Sequence, residues 1–332
     1  IMVMSRCNKI SMREYVERFQ EPLLRRAFLS AIPGDYSATA LVSTLAGMGA
    51  GDNGYPLGGS RALAERMEKR FTDLGGRVTY NARIDKILVK DGKAVGVRLG
   101  DGNEIMGDYI VSCADGYATL MHMLEDSHTP DMYRNLFGNP KEYPTATCAI
   151  VFMGVDAKLP DYRSVTVRRG VSGDPNGEEE YAQILNYSYE PAAAPEGKTV
   201  LACYYEADYD YWNELHRDKQ QYAEGKKALE DDAVAAVLRR YPGAEGRIEV
   251  TDVVTPVTYE RYCGAWRGSW MSWCNPGKDV PQYYPGVLPG LSNFIMAGMW
   301  TMPPGGLPGA GGAGRYAAHR LCVWEGKEFK TA

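Results

Sequence analysis

Long apolar runs are missing from the 332 residues. No stretch approaches the ~20 consecutive apolar residues of a membrane-spanning helix, and no signal peptide precedes the first helix. The expectation is a soluble chain, with contact at a membrane surface left open. Excess positive charge is missing too: 37 Lys and Arg face 42 Asp and Glu, a formal net charge of −5, which argues against nucleic acid as a partner. Cysteine pairs are absent. Cys7, Cys113, Cys148, Cys203, Cys263, Cys274 and Cys322 are scattered, odd in number and without CxxC spacing. That pattern suits the reduced thiols of a cytoplasmic protein rather than a disulfide framework or a zinc site. His122, His128, His216 and His319 are too few and too dispersed for a metal site, so none is expected. No carboxylate pair, Ser/His/Asp arrangement or Cys/His dyad stands out, and no catalytic residue is assigned.

What is present is an ordinary globular composition, 45% hydrophobic and 24% charged, on a chain long enough for two domains. Tyrosine is the anomaly, 23 residues against 7 phenylalanines. A tyrosine buries a large ring and keeps a hydroxyl for a polar partner, which suits exposed sheet faces and amphipathic pockets.

The last forty residues are the most informative. The apolar run 293–300 is followed by Pro303-Pro304-Gly305-Gly306-Leu307-Pro308-Gly309 and then by 310–324. This spacing predicts a strand, a sharp turn and a helix. A helix entered through glycines presents bare N–H groups and the positive end of its dipole, a natural seat for anionic or electron-rich groups.

Upstream, Ser11 with Glu14 reads as a capping box for a helix over 12–19, and Pro22 starts a second helix to Phe28. A small-residue helix over 38–46 is expected to pack closely on a neighbour. Gly49, Gly51 and Gly54 match G-x-G-x-x-G, but helical residues precede them and Pro56 follows, so a loop is predicted rather than a dinucleotide fingerprint. Leu63, Met67, Phe71 and Leu74 mark an amphipathic helix over 60–74, ended by Gly75-Gly76. The period then changes to two. Strands are predicted over 78–80, 83–89, 94–99 and 103–106, with Asp91-Gly92 and Asp101-Gly102 as hairpin turns. A short strand over 109–114 leads to a helix capped by Asp115 and running to about Leu124. His122 and His128 flank that end and read as surface residues. Strands follow over 145–155, 164–169, 181–189, 198–206 and 248–255, with a helix over 218–240. The polar segment 170–180 reads as a solvated loop. The stretch 258–273 is aromatic and glycine-rich and resists assignment. Trp266, Trp270 and Trp273 with Tyr259 and Tyr262 form an aromatic cluster that lines a hydrophobic cavity or packs as core. A second literal G-x-G-x-x-G, at Gly309, Gly311 and Gly314, has a strand before it and a helix after, but no second strand follows to bring the acidic residue that binds a ribose.

Tyr55-Pro56-Leu57-Gly58-Gly59-Ser60, Leu74-Gly75-Gly76, Asn81-Ala82-Arg83-Ile84, and Ala297-Gly298 with Pro304-Gly305-Gly306-Leu307-Pro308-Gly309 resemble the phytoene dehydrogenase-related FAD oxidoreductases, relatives of the amine oxidases. The ordered set runs from about Ser11 to Trp324. The resemblance implies a mixed α/β (α+β) fold: an incomplete FAD/NAD(P)-binding-type domain with a β-meander, interleaved with a substrate domain of mixed sheet and helices. The implied division is 1–56 and 126–290 for the substrate domain, 57–125 and 291–332 for the FAD-binding one. It also implies that the Ile84 backbone meets the adenine and that Ala114, Gly298, Met299, Gly305, Gly306, Leu307, Pro308 and Gly309 lie against the flavin. Gly58 and Gly59 would border the substrate cavity, with Trp266 and Trp270 as further candidates for its lining. The family opens with a βαβ unit of roughly 30 residues, and nothing of that kind stands before residue 11. The chain is therefore expected to be the C-terminal part of a longer protein, and to bind FAD weakly or not at all by itself.

Two functional classes stay open at this point. One is an FAD-dependent oxidoreductase that desaturates, saturates or isomerises a long apolar substrate such as a polyisoprenoid, with an amine as the other substrate class. The other is a binding module that holds an apolar ligand or partner without chemistry.

Overall fold

Three helices open the chain in the computed structural model, which describes residues 6–32, 34, 36–162, 164–168, 181–273 and 283–331. Helix α1 (Met12–Val16) starts at the expected capping box: Glu14 N donates to Ser11 Oγ at 3.2 Å, and Ser11 N donates to Glu14 Oε2 at 2.7 Å. Helix α2 (Pro22–Ala31) begins on its proline, whose missing N–H is no loss in a first turn. Helix α3 (Ala38–Ala50) is capped by Ser37. Met12, Val16, Ala38 and Leu41 close a small core with Cys7. Only this first half of α3 packs inward. It runs four residues past the expected end, and Gly49 has open space around it.

Helix α4 (Gly59–Asp73) forms where the apolar period predicted it, starting from Gly58 in the left-handed region rather than from Ser60. The stripe that signalled it does not face a core, since Met67, Phe71 and Leu74 are exposed. The strand expected over 78–80 is not formed. Val78 and Tyr80 are exposed and no described strand runs beside them, so their backbone has no ladder to join.

The meander is as predicted. Strands β1 (Ile84–Lys90), β2 (Lys93–Leu99) and β3 (Glu104–Met106) pair antiparallel in that order. Asp91 (φ 50°) and Gly92 (φ 71°) both take the left-handed conformation that a two-residue hairpin needs. Strand β4 (Ile110–Ser112) follows. The helix expected after Asp115 forms with π-helical geometry over Ala118–Met123. Helix α5 (Asp131–Gly138) was not anticipated. It carries Tyr133, Leu136 and Phe137 into the second core cluster.

The predicted strand over 145–155 is two strands. Strand β5 (Thr145–Ala146) and strand β6 (Cys148–Val155) join different sheets. The break falls at Thr147, whose Oγ1 donates to Gly268 O at 2.7 Å. Strand β6 lies in an antiparallel sheet with β7 (Ser164–Arg168), β8 (Tyr181–Asn186), β9 (Thr199–Glu206) and β10 (Ile248–Val254), in the order β10-β6-β9-β8-β7. The segment 170–180 and Cys274 lie outside the described residues.

Helix α6 (Tyr209–His216), another unanticipated element, is capped by Asp208. Helix α7 (Lys219–Arg240) is capped by Asp218. It covers one face of the large sheet: Val151, Met153, Leu201 and Cys203 pack against Leu229, Ala233, Ala236 and Val237. The opposite face carries Cys148, Ile150 and Ala202 with Tyr187, Tyr204 and Tyr259. The stretch that resisted assignment folds as helix α8 (Pro256–Cys263), a 3-10 turn and strand β11 (Met271–Trp273), which pairs with β5. Strand β12 (Phe294–Met296) pairs parallel with β4. Helix α9 (Gly306–Trp324) then starts four residues earlier than the sequence suggested, inside the glycine-proline turn. The fold is thus mixed α/β with several small sheets. Among the described residues no helix is long and apolar enough to cross a membrane.

Candidate functional site

Strands β4 and β12 end side by side. Ala297 N donates to Ser112 O at 2.9 Å, which brings Cys113-Ala114-Asp115 next to Ala297-Gly298. Ligands of α/β folds settle outside the carboxyl ends of parallel strands. Gly298 fits that use: its φ is 110°, and a β-carbon there would meet nothing within 4 Å.

The loop 298–304 is braced from several sides. Thr301 N and Thr301 Oγ1 both donate to Gly298 O, at 3.1 and 2.9 Å. Tyr133 Oη donates to Trp300 O at 3.0 Å, and Tyr284 N to Thr301 O at 2.8 Å. Buried Ser272 ties the two ends of the loop together: its Oγ lies 2.9 Å from Met299 O and 3.2 Å from Pro304 O, and its N donates to Pro304 O at 2.9 Å. Gly305 then turns the chain with φ 108° and ψ −130°, a region glycine alone enters readily. A β-carbon on Gly305 would lie 2.5 Å from Met299 Cβ. No side chain caps α9, and Gly306, Leu307 and Pro308 are exposed. The first-turn N–H groups, lacking only that of Pro308, therefore point unpaired from the positive end of the dipole.

Asp115 forms the opposite lip. Its Oδ1 accepts from Ala118 N at 3.0 Å and its Oδ2 from Trp266 N at 3.1 Å. Burial pushes the carboxyl above the usual carboxylate range, while these N–H donors and the neighbouring Trp300 pull it back. Behind it Trp266 stacks on Tyr117 (5.4 Å, 21°) and meets Phe137 edge-on at 4.9 Å, and Trp300 meets Trp273 at 4.9 Å. The expected aromatic cluster is thus corrected. Trp273 is core with Trp300 and Phe137, and partly buried Trp266 packs against them instead of against its sequence neighbours. Trp270, between the 3-10 turn and β11, and Tyr262, near the end of α8, are both exposed. Tyr259, on α8, packs against the large sheet, with its Oη 3.4 Å from Cys148 Sγ.

Of the candidate contact residues, the structure brings Ala114, Gly298, Met299 and 305–309 to this one crevice. Ile84 opens β1 opposite Leu99. Among the described residues it has no hydrogen bond to the loop 298–309. Gly58 and Gly59 face Tyr55 and Ala62, and Gly58 N donates to Glu190 Oε2 at 3.1 Å, whereas Trp266 packs beside Asp115. His122 is exposed and packs edge-on to Tyr117, while half-buried His128 has its Nδ1 3.0 Å from Pro289 O. Both glycine motifs fail as phosphate cradles. Gly49 and Gly51 sit at the carboxyl, negative end of α3, and Gly309, Gly311 and Gly314 lie within α9. Ser272, Thr301 and Tyr133 are the bracing residues that sequence reasoning missed. Thr301 acts locally on Gly298, whereas Ser272 and Tyr133 act through contacts 27 and 167 residues apart, which no local pattern encodes.

A family model described as flavin containing amine oxidoreductase matches residues 4–322. The chain is 27% identical over 293 residues to the chloroplastic prolycopene isomerase of Daucus carota, covering 83% of this chain and 45% of that protein. It is 25% identical over 280 residues to the lycopene-forming phytoene desaturase of Pseudescherichia vulneris, 77% of this chain and 53% of the relative. A 73-residue stretch, 22% of this chain and 14% of the relative, is 44% identical to the neurosporene-forming phytoene desaturase of Rhodobacter capsulatus. The chain thus spans about half the length of these first two relatives. Among solved structures, an oxidoreductase from Methanosarcina mazei superposes with a TM-score of 0.53 at 15% identity, covering 81% of this chain and 55% of that one. That likeness concerns the fold.

Proposed function

We propose, because this chain belongs to the family of flavin containing amine oxidoreductases, that the whole protein holds FAD and transfers hydride between its flavin and a long apolar, carotenoid-like substrate. The observation that carries the reading is the uncapped start of α9, held open beside the carboxyl ends of β4 and β12. When bound, the flavin supplies the redox chemistry, and the polypeptide contributes orientation and exclusion of water. The free N–H groups of Gly306 and Leu307 suit the electron-rich edge of a heteroaromatic ring. Gly298 leaves room for such a ring to approach the backbone. Ser272 and Thr301 hold the loop 298–304 so that both features keep one geometry. The apolar wall of Trp266, Phe137 and Tyr117 excludes water on the Asp115 side.

The residues fit only the ring half of the dinucleotide. Neither glycine motif offers amides to a pyrophosphate, so in this reading the rest of the parent protein supplies the nucleotide cradle. The exposed stripe Met67, Phe71 and Leu74, with Val78 and Tyr80 beyond it, is the surface against which that cradle would pack. The likeness to prolycopene isomerase and phytoene desaturases supports a polyene substrate. The test is purification of the full-length protein. Flavin absorbance should co-purify, disappear in Gly305→Val, and bleach when a polyene is added without oxygen. A flavin-free, folded full-length preparation would sink the proposal.

A further inference from the structure

Strand β6 is eight residues long, so its Val155 end lies roughly 25 Å from Cys148 and from the crevice beyond. There a cleft of about 810 Å³ opens between the turn after β6 and the segment that closes α7. Lys158, Arg240 and Arg247 line it. None of the three has a carboxylate partner within ion-pair distance among the described residues. The one acid in the lining, Asp156, is committed to Lys198 at 3.2 Å. Glu249 shares Lys198 with Asp156, and the charge of Asp161 is felt at Tyr241. Arg240 is fixed in place, its guanidinium 3.8 Å from the centre of the Tyr162 ring and 5.5 Å from that of Tyr241. Gly197 and Gly243 leave the rim open.

The chain as a whole is acidic, with a net charge of −5. Gathering three unpaired cations in one concavity is therefore not a by-product of composition. Like charges lining one cleft repel, and an anion between them turns that repulsion into attraction. Two guanidinium forks beside an ammonium match the oxygens of a phosphate group. We infer that this cleft binds a phosphate monoester-type dianion, borne by a free small molecule or by a lipid headgroup.

The test uses two probes on the purified protein. Inorganic phosphate is followed by phosphorus-31 line broadening. Phosphatidylcholine vesicles, with and without phosphatidic acid, are followed by co-sedimentation. Saturable phosphate binding is expected, weakened about tenfold or more in Lys158→Gln/Arg247→Gln, with an unchanged melting temperature because both side chains are exposed. The charge-keeping pair Lys158→Arg/Arg247→Lys should retain it. Capture by vesicles containing phosphatidic acid, but not by plain ones, identifies a headgroup. Phosphate binding without capture identifies a free anion. Binding that survives in the glutamine pair, is lost in the charge-keeping pair, or is absent for both probes in the wild type overturns the inference.

Discussion

Gly305 is the residue on which the entrance to α9 turns. With φ at 108° and Met299 Cβ 2.5 Å from where a methyl would go, Gly305→Ala should destabilise the chain by roughly 1–3 kcal/mol, read from chemical denaturation. A loss below about 0.5 kcal/mol would show that the loop relaxes freely. Asp115 gives a prediction with a sign. Its carboxyl binds a proton more tightly folded than unfolded, because burial disfavours the charge. Its favourable contribution is therefore full below the unfolded value of about 4 and fades as pH rises through the folded one. Relative to Asp115→Asn, the wild type should gain stability as the pH falls toward the unfolded value of about 4, measured as the difference in melting temperature. A difference that stays constant with pH would refute the assigned cause. The sequence pointed to Gly305 through its glycine-proline spelling and to Asp115 as a helix cap. That Asp115 also holds Trp266 N, 151 residues away, was out of reach of any local rule.

At the scale of elements, the period of two and the Asp-Gly pairs were enough to place the meander and most of the large sheet. Elements decided by tertiary packing escaped. Helices α5 and α6 have eight residues each, too short to be stable alone, and exist because Tyr133, Phe137 and Trp212 are drawn into cores. The segment 78–80 fails in the opposite way: it has strand-like residues and no described neighbour to pair with. The centre of the large sheet is where stability should concentrate. Leu201 is fully buried on β9 between β6 and β8. Leu201→Ala should cost about 2–5 kcal/mol, measured by urea unfolding. A cost under about 1 kcal/mol would mean that the site collapses around the cavity.

For the whole molecule, the telling feature is an amphipathic helix whose apolar side meets solvent. The stripe on α4 was readable in the sequence; which surface covers it was not, since period reports a face and not its partner. Met67, Phe71 and Leu74 are 66%, 51% and 69% exposed, so Met67→Ser/Phe71→Ser should change the stability of this chain by no more than about 0.5 kcal/mol. The same pair should lower its self-association in sedimentation velocity. In the full-length protein the same pair should destabilise. An equal, small effect in both would show that nothing covers this face.

The apolar run 145–155 is shared between two sheets, with one residue between them. Its first pair of residues is stitched to the strand that carries Ser272, and its remainder forms an inner rib of the large sheet. Thr147 is therefore a knuckle: any tilt of the sheet must either pivot there or drag on the clamp at Met299 and Pro304. The tyrosine-bearing side of that sheet is thus joined to the mouth of α9 by two routes, through Thr147 and through α8 into the strand that carries Ser272.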